Sequence, residues 1–561
     1  MPQDAFTLIR EANELDALLK GGKVNKIIQP TADEVFILFY TGKSVNVAFS
    51  ANAQTARVCP TDRQVKAPAV APNFCMLLRK HLSGTTVKKT ENVGYERIIV
   101  VTFEGKNDFF ETTEKKLVCE IMGKYSNVIL TENNKILGTL KPSFGDLQSG
   151  RLLLAGLDYA LPPTQNKIEI TDLTRVKEAF RDFPEVDGGF FTQSAIKGLS
   201  SQTAAEAANE FMQKYSLSSI NGKGEEYADF LFDFLSSPPY KPNVTTSGRE
   251  DFFLFDYKTI GGEKRYFDTL LQAEKYFFDK TENEKEFRLR YKALKEKIKQ
   301  QEKKLLKKKN ITEEKILSCY DAETNKKKGE LLTAYQYAVP IGSTVCELPD
   351  FYSETGEKIK ITLDGTLSAN RNAQIYFKKY QKQKKTLAAS EPQLEQTMNE
   401  LNYIYDLYDE LDRCETEADF EALKEEIRSA GYLHEQRRTD KKEKPSAPKT
   451  YEKDGFLILA GRNNLQNDKL TGGANKHDMW LHTKDFHSSH VIIETNGKPV
   501  PDEVLLFAAE ICAYNSKARG GNKVPVDYCL KKYVKKPPKS APGKVIYTDF
   551  KTILVTPNSH E

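Results

Sequence analysis

Hydrophobic positions change period several times along the chain, and each change marks an element. Over residues 5–20, Phe6, Ile9, Leu15, Leu18 and Leu19 fall on one side of a helical turn with Glu11 and Glu14 opposite, predicting an amphipathic helix stopped by Gly21-Gly22. Short apolar runs at Val24–Ile28, Glu34–Tyr40 and Ser44–Ser50 then read as strands. A short helix over Phe74–Leu82, capped by Asn73, precedes further strands at Arg97–Phe103, Lys115–Ile121 and Asn127–Thr131. This pattern predicts an α+β domain over residues 1–168. Residues 169–270 read as helices with breaks. There Gly198-Leu199-Ser200-Ser201 before a helix-prone stretch resembles a helix-hairpin-helix turn, whose amides could meet a phosphate, and Phe252–Phe255 reads as a buried strand.

The clearest periodicity follows. Phe287, Tyr291, Leu294, Ile298, Gln301 and Leu305 alternate spacings of four and three, and Leu394, Met398, Leu401, Tyr405 and Tyr408 form a second seam. Two such arms bracket a stretch (about 338–366) rich in Gly, Pro and β-branched residues. They predict a long antiparallel coiled coil over 271–434 with a small β insertion at its far end. Ser390 with Pro392 marks a fresh helix start or a kink in the second arm. Residues 435–449 read as a charged linker, and 450–561 as a final α+β domain with strands at Phe456–Leu459, Asp478–His482 and Ser489–Ile493. Between the first two of these strands lies the polar block Arg462, Asn463, Asn464, Gln466, Asn467, Asp468. It is either a solvated loop or a donor and acceptor surface suited to phosphates and bases.

Length and charge sharpen this multidomain α+β reading. At 561 residues the chain exceeds one core, and 29% charged against 39% hydrophobic residues suit long polar helices. The net charge is only +4, so its distribution matters more than its sum. Lysines at 303, 304, 307, 308 and 309 and at 378, 379, 382, 384 and 385 are expected to meet at the far end of the coiled coil. That predicts a basic tip, either a solvated helix face or an RNA-reaching one, with Lys307, Lys308 and Lys309 as candidates. Residues 515–544 carry nine Lys and Arg against one Asp, with Tyr514, Tyr528 and Tyr533 interleaved or adjacent, which is either core tyrosine or a stacking surface. The eight cysteines are scattered with no close pair, as expected for free thiols in a reducing cytosol. No signal peptide and no membrane span are read, so a cytoplasmic location without a membrane partner is expected.

Catalytic patterns are sparse. His477, His482, His487 and His490 lack zinc-ligand spacing, Ser488-Ser489-His490 lacks the glycines of a nucleophile elbow, and no phosphate loop occurs. No metal, cofactor, hydrolase triad or nucleotide hydrolysis is therefore expected. Met1-Pro2 leaves one enzymatic alternative, a DNA glycosylase using the Pro2 amine, although Gln3 follows and no four-cysteine finger closes the chain.

Ordered motifs add a resemblance. Gly461-Arg462-Asn463-Asn464, Gln466-Asn467-Asp468, Asp478-x-Trp480-x-His482, Ser489-His490-Val491, the Tyr514–Arg519 run and Val524-Pro525-Val526-Asp527-Tyr528 resemble the C-terminal RNA-binding domain of the NFACT family. These are RqcH-type ribosome quality control factors, also called fibronectin-binding-protein-A-like. Phe74–Leu82, Glu96-Arg97 and Glu120-Ile121-Met122-Gly123-Lys124 resemble the family's N-terminal domain. The resemblance implies that Glu96, Arg97, Glu120, Ile121, Met122 and Lys124 hold tRNA. It implies further that Arg462, Asn463, Asn464, Asn467, Asp478, Trp480, His482, Ser489, His490, Lys517 and Arg519 meet RNA or the ribosome. Departures are Glu96 for the family's Asp, Lys124 for its Arg, and Asp485-Phe486-His487-Ser488 where Pro-Gly precedes Ser-His. The implied function is binding a large ribosomal subunit, through rRNA and ribosomal proteins, when it is obstructed by peptidyl-tRNA. Recruited tRNA, expected to be alanyl-tRNA, would then allow template-free tailing that marks the chain for degradation. The older family name also raises a fibronectin-binding adhesin, against which the missing signal peptide weighs.

Overall fold

The computed structural model describes residues 3–560 apart from 107–110, 145–150, 164–165, 183, 185–186, 238, 354–356, 415, 434–446, 485, 539 and 541, and apart from the side chains of 144 and 249. Pro2, Asp485 and most of the 435–449 linker lie outside the described residues. The chain is a multidomain α+β protein, and it divides into two compact units, Met1–Lys285 and Glu286–Glu561.

The first unit opens with helix α1 (Ala5–Leu19), whose N-cap Asp4 accepts from Thr7 N. Nine antiparallel strands follow: β1 (Lys23–Ile28), β2 (Glu34–Tyr40), β3 (Ser44–Ser50), β4 (Arg57–Pro60), β5 (Thr86–Asn92), β6 (Ile98–Lys106), β7 (Thr112–Glu120), β8 (Asn127–Glu132) and β9 (Lys135–Thr139). They form one sheet in the order β4-β3-β2-β1-β5-β6-β7-β8-β9. Helix α2 (Asn73–Leu82) intervenes after β4; Pro72, not Asn73, is its N-cap, and no side chain caps it. Alternation along β6 explains why its run is apolar throughout. Ile99, Val101 and Phe103 join the core under α1 and α2, while Ile98 and Val100 face a second cluster with Val118, Ile129, Ile136 and Leu153.

A helical layer comes next: α3 (Leu173–Phe180), α4 (Gly188–Ala195), α5 (Ser201–Tyr215) and α6 (Gly224–Ser236), with a three-stranded sheet at Asn243–Ser247, Arg249–Phe253 and Glu263–Tyr266. Phe252, Phe253, Leu254 and Phe255 are all buried, as the apolar run predicts. Between α4 and α5 the chain turns at Gly198 with φ +77°; a Cβ there would lie 2.6 Å from Tyr95 O, so glycine is required for this close approach.

Helix α7 (Leu270–Leu317) begins in the first unit, where Leu270, Ala273, Phe277 and Phe278 are buried. In the second unit it is followed by α8 (Ala322–Ala334), a hairpin of Val345–Pro349 and Lys358–Thr362, and α9 (Ala369–Asp412), which continues unbroken through Pro392. Tyr408 donates to Glu302 at 3.0 Å and Lys308 approaches Glu400 at 3.8 Å, so α7 and α9 run antiparallel around Leu294, Ile298, Leu305, Leu401, Ile404 and Leu407. Farther on, Gln383 donates to Ser318 O (2.9 Å) and accepts from Asn325 (2.8 Å), which sets α8 against α9. This pairing corrects the expected meeting of lysines. Lys303–Lys309 lie beside Glu400, whereas Lys378–Lys385 lie beside α8 with its Lys326, Lys327 and Lys328. At 1.5 Å per residue, positions 400 and 382 are roughly 27 Å apart along α9. The seams fix this register, and the helix break at residues 318–321, invisible to periodicity, lets α8 continue the pairing.

Helix α10 (Glu417–Ser429) carries a capping box of Thr416 and Asp419. The last domain is a six-stranded antiparallel sheet. Its spatial order is Lys449–Lys453, Phe456–Ala460, Val491–Glu494, Met479–Thr483, Val524–Leu530 and Lys551–Val555, covered by α11 (Asn464–Gly473) and α12 (Asp502–Tyr514).

Candidate nucleic-acid interface

Two motifs separated by more than twenty residues meet in the first unit. The β6–β7 register pairs Ile98 with Glu120, and Ile121 N donates to Arg97 O at 2.9 Å, so Glu96-Arg97 and the 120–124 turn form one edge. Asn92 holds the first turn, its Nδ2 donating to Glu96 O (2.8 Å) and Ile98 O (2.9 Å). Glu96 pairs with Lys197 at 3.0 Å. Arg97 is exposed, and among the described residues its guanidinium has no ion pair or hydrogen bond; Asp4 and Glu96 are the carboxylates whose charge it feels. Such a cation is suited to a phosphate.

The second motif divides by role. Glu120 is buried and accepts from Arg151 Nη1 (3.1 Å), Arg151 Nη2 (2.6 Å) and Tyr159 OH (2.8 Å), so its carboxylate is already spent on the protein. Ile121 is core. Met122 is half-buried, its N–H donating to Ser126 Oγ at 2.8 Å, and Gly123 (φ +58°) turns the chain. Lys124 and Tyr125 project outward, the ammonium 4.7 Å from the ring centroid. The residues that reach solvent are therefore Arg97, Lys124 and Tyr125, while Glu120 and Ile121 anchor the edge from within. Arg151, Tyr159, Lys197 and Asp4 complete the arrangement but carry no local pattern. Asp4 also accepts from Thr203 Oγ1 (2.6 Å) and Ser200 N (3.3 Å), binding α1 to α5.

In the last domain the polar block is not a loop. Asn463 caps α11, accepting from Gln466 N at 2.9 Å, and Asn463, Asn464, Gln466 and Asn467 are all buried. Asn467 Oδ1 accepts from His490 N at 3.0 Å and would lie 2.2 Å from a Cβ at 461, which is why Gly461 precedes it. Asn464 is a hub: its N–H donates to Glu410 (2.8 Å), its Nδ2 to Glu426 (3.1 Å), and its Oδ1 faces His487 Nε2 at 3.1 Å. Arg413 lies 3.1 Å from His487 Nδ1. A guanidinium can only donate, so Nδ1 accepts and Nε2–H donates to Asn464. Burial, then Arg413, pushes the His487 pKa down to about 3; burial alone leads the fall of His482 to about 4 and of His490 well below its ordinary value. All three are neutral near pH 7. Burial raises Glu410 and Glu426.

Asp478 is buried too, accepting from Asn475 N (2.7 Å) and Thr495 N (3.0 Å). Trp480 is fully buried, parallel to His482 at 5.7 Å and tilted on Tyr547 at 4.8 Å. Ser489 and His490 are interior, the latter 2.7 Å from Thr471 Oγ1. These side chains shape the domain from inside. Of the contact residues the motifs imply, the reachable cations are Arg462, paired with Asp419 at 3.2 Å; Lys517, paired with Asp409 at 2.6 Å; and Arg519, 3.8 Å above the Tyr514 ring. Arg413, Lys449, Arg462 and Arg519 line one small cleft of about 40 Å³ with Glu410, Asp419, Ser489, Asn515 and Tyr514, and Asp419 already pairs with Arg462 there. On α7, Lys307 is exposed, Lys308 faces Glu400, and Lys309 pairs with Glu313 at 3.6 Å. Asp406, Asp409 and His487 bring three possible metal-ligand atoms within 4.8 Å of one another, but Lys517, Arg413 and Asn464 already take up Asp409 and His487. No described helix is long and apolar enough to cross a membrane.

Known proteins share this arrangement of sequence. The family profile of the NFACT N-terminal and middle domains matches residues 4–446, and that of the NFACT protein RNA binding domain matches residues 449–549. The Rqc2 homolog RqcH of Bacillus subtilis is 34% identical over 98% of this chain and 96% of its own. The protein of the same name from Streptococcus suis is 32% identical over 99% and 98%. The solved C-terminal part of the fibronectin/fibrinogen-binding protein from Streptococcus suis is 33% identical, covering 48% of this chain and 96% of its own, with a TM-score of 0.39. Two profiles that together span nearly the whole chain, and relatives above 30% identity along their full length, place it: the chain belongs to the NFACT family.

Proposed function

We propose that this protein is a cytoplasmic ribosome quality control factor. It binds large ribosomal subunits obstructed by peptidyl-tRNA, touching rRNA and ribosomal proteins, and recruits tRNA to them. The incoming tRNA is alanyl-tRNA, and repeated delivery extends the stalled chain with a template-free C-terminal alanine tail that marks it for degradation. The protein supplies positions rather than a nucleophile, and peptide bonds form at the ribosome's own centre. The observation that carries this reading is the single edge built by Arg97 and the 120–124 turn, in a chain whose full-length relatives are RqcH proteins. A guanidinium without a partner among the described residues, in the same edge as an exposed Lys-Tyr pair, offers a phosphate clamp and a stacking ring together. The antiparallel α7–α9 pair acts as a coiled-coil arm, and its lysines with the Arg413, Lys449, Arg462 and Arg519 cleft grip ribosomal RNA.

The test is to purify the full-length protein and its Arg97→Ala variant from cells and sequence the RNA that accompanies each. The reading predicts large-subunit rRNA with both proteins, and one alanine tRNA enriched with the wild type alone. Ribosomal RNA without a selective tRNA would remove tailing from the account, and absence of both RNAs would remove the account itself.

A further inference from the structure

The turn between α4 and α5 packs on the turn that presents Arg97, with Gly198 too close to Tyr95 O for any side chain to fit. Two amides at the start of α5 are already engaged: Ser200 N donates to Asp4 Oδ2 at 3.3 Å and Thr203 N to Ser200 Oγ at 3.1 Å. The Gly198-Leu199-Ser200-Ser201 motif therefore meets the protein's own carboxylate where a phosphate was expected. Its cation is equally committed. Lys197 Nζ lies 3.0 Å from Glu96 Oε1 and 3.1 Å from Glu169 Oε1, and its side chain is 14% exposed. Its backbone is fixed as well, Lys197 N donating to Ile168 O at 2.8 Å. A lysine held by two carboxylates and largely covered presents little charge to a ligand.

Arg97 needs what these contacts provide. The carboxylates whose charge reaches its guanidinium are Asp4 and Glu96, the latter on the preceding residue. Asp4 is engaged by Thr7 N (2.9 Å), Thr7 Oγ1 (2.9 Å), Ser200 N and Thr203 Oγ1 (2.6 Å), which together fix it between α1 and α5. Glu96 has no such set: among the described residues, Lys197 is the one group that its carboxylate meets. Without that lysine a free carboxylate would stand beside a free guanidinium, pairing with it in competition with phosphate and repelling the phosphate as well. We infer that Lys197 is a positioning residue for the RNA-binding edge, holding and neutralising Glu96 so that the Arg97 guanidinium stays open to a backbone phosphate. The inference rests on the RNA-binding reading above and adds to it the residue that keeps the central cation available. It also gives Glu96 a role that needs no contact with RNA.

Lys197→Met keeps the apolar stem and deletes the charge. The full-length protein and its variants are titrated with fluorescein-labelled alanine tRNA over a range of salt concentrations, with thermal melting as a check on folding. Lys197→Met should bind about 10-fold more weakly, because the freed carboxylate both captures Arg97 and repels phosphate. Its salt dependence should fall by about one phosphate contact. Double variants separate this from the loss of a direct lysine contact. Adding Glu96→Gln to Lys197→Met should restore most of the affinity, whereas adding Glu169→Gln, which removes the same charge from the lysine's other partner, should restore little. In an Arg97→Ala background, Lys197→Met should cause no further loss. If Lys197→Met melts below the assay temperature, the double variant with Glu96→Gln strands no charge and must still keep most of the tRNA affinity. Rescue by neither glutamine or by both, wild-type affinity in Lys197→Met, or an additive loss with Arg97→Ala would overturn the inference, while tRNA binding by the wild type leaves the functional reading intact. A wild type that binds no tRNA would remove that reading and the inference with it.

Discussion

Replacing Arg151 with methionine tests the claim that Glu120 is an internal anchor rather than an RNA contact. The Arg151 side chain is 12% exposed and that of Glu120 1%. The substitution removes both guanidinium bonds, at 2.6 and 3.1 Å, and leaves the carboxylate with Tyr159 OH alone. Breaking a buried pair by removing one partner typically costs about 3–5 kcal/mol, and the surviving tyrosine bond places this case near the lower end, at about 3 kcal/mol. At 1.4 kcal/mol per decade that is roughly a hundredfold faster opening of β7 and the 120–126 turn, provided these amides exchange through local unfolding. Hydrogen exchange of the full-length protein, read by mass spectrometry on peptides spanning residues 112–132, measures it directly. A double-mutant cycle completes the argument. Arg151→Met combined with Glu120→Gln should cost less than the sum of the single changes, because the second substitution removes the stranded charge. Exchange slowed or unchanged in Arg151→Met, or strict additivity in the cycle, would refute the anchor and return Glu120 to the surface role that its motif implies.

Four further outcomes are expected. Glu11 and Glu274 are fully buried, and burial pushes the Glu11 pKa up to about 8. A carboxyl raised in the folded state contributes stability below its unfolded pKa near 4.5 and loses it as pH rises through 8, so Glu11→Gln should raise the melting temperature increasingly from pH 5 to pH 9 in calorimetric scans. Trp480 is the chain's one tryptophan and sits in the last domain, so its fluorescence follows that domain's unfolding. The lowered histidines give stability present above about pH 6.5 and lost as pH falls toward 4, so the urea midpoint by Trp480 fluorescence should drop in that window, by up to about 1.4 kcal/mol per pH unit for each histidine. Asn464→Ala keeps the backbone bond to Glu410 but removes two side-chain bonds, one to the Glu426 carboxyl and one to His487, and should cost about 2 kcal/mol by the same probe. Lys449→Glu with Arg519→Glu should flatten the salt dependence of RNA binding by about one to two phosphate contacts, and an unchanged slope would remove the cleft from the RNA surface.

Much of the architecture is legible in the sequence because strand and helix periods are local. The limits of β2 and β3 coincide with those read from their apolar runs, and α1 and α2 differ from theirs by one residue. The first seam names Leu294, Ile298 and Leu305, which pack against α9, but the second is offset: Met398 and Tyr405 are exposed, and Ile404 and Leu407 are buried with Leu401 instead. What stays hidden is long-range. The two lysine runs look adjacent because each sits near an arm's inner end, yet the break at 318–321 and the partner of Gln383 set them far apart. The polar block at 462–468 reads as solvent-exposed because six polar side chains adjoin. Only the positions of Glu410, Glu426, His487 and His490, brought from distant segments, show that its amides satisfy buried groups. Trp480 and His490 follow the same rule: a motif records that a residue is constrained, and the constraint here is interior packing. Arg151 and Lys197 carry no motif at all, since a lone cation finding a glutamate distant in sequence has no sequence signature.

The central claim is that the Arg97 edge delivers tRNA for tailing. It is tested most directly by incubating purified large subunits carrying peptidyl-tRNA with this protein and alanyl-tRNA, then weighing the released peptide by mass spectrometry. A ladder rising in steps of one alanine residue, present with the wild type and lost with Arg97→Ala, is the predicted result. A peptide of unaltered mass in both reactions, while the protein remains bound to the subunits, would contradict it.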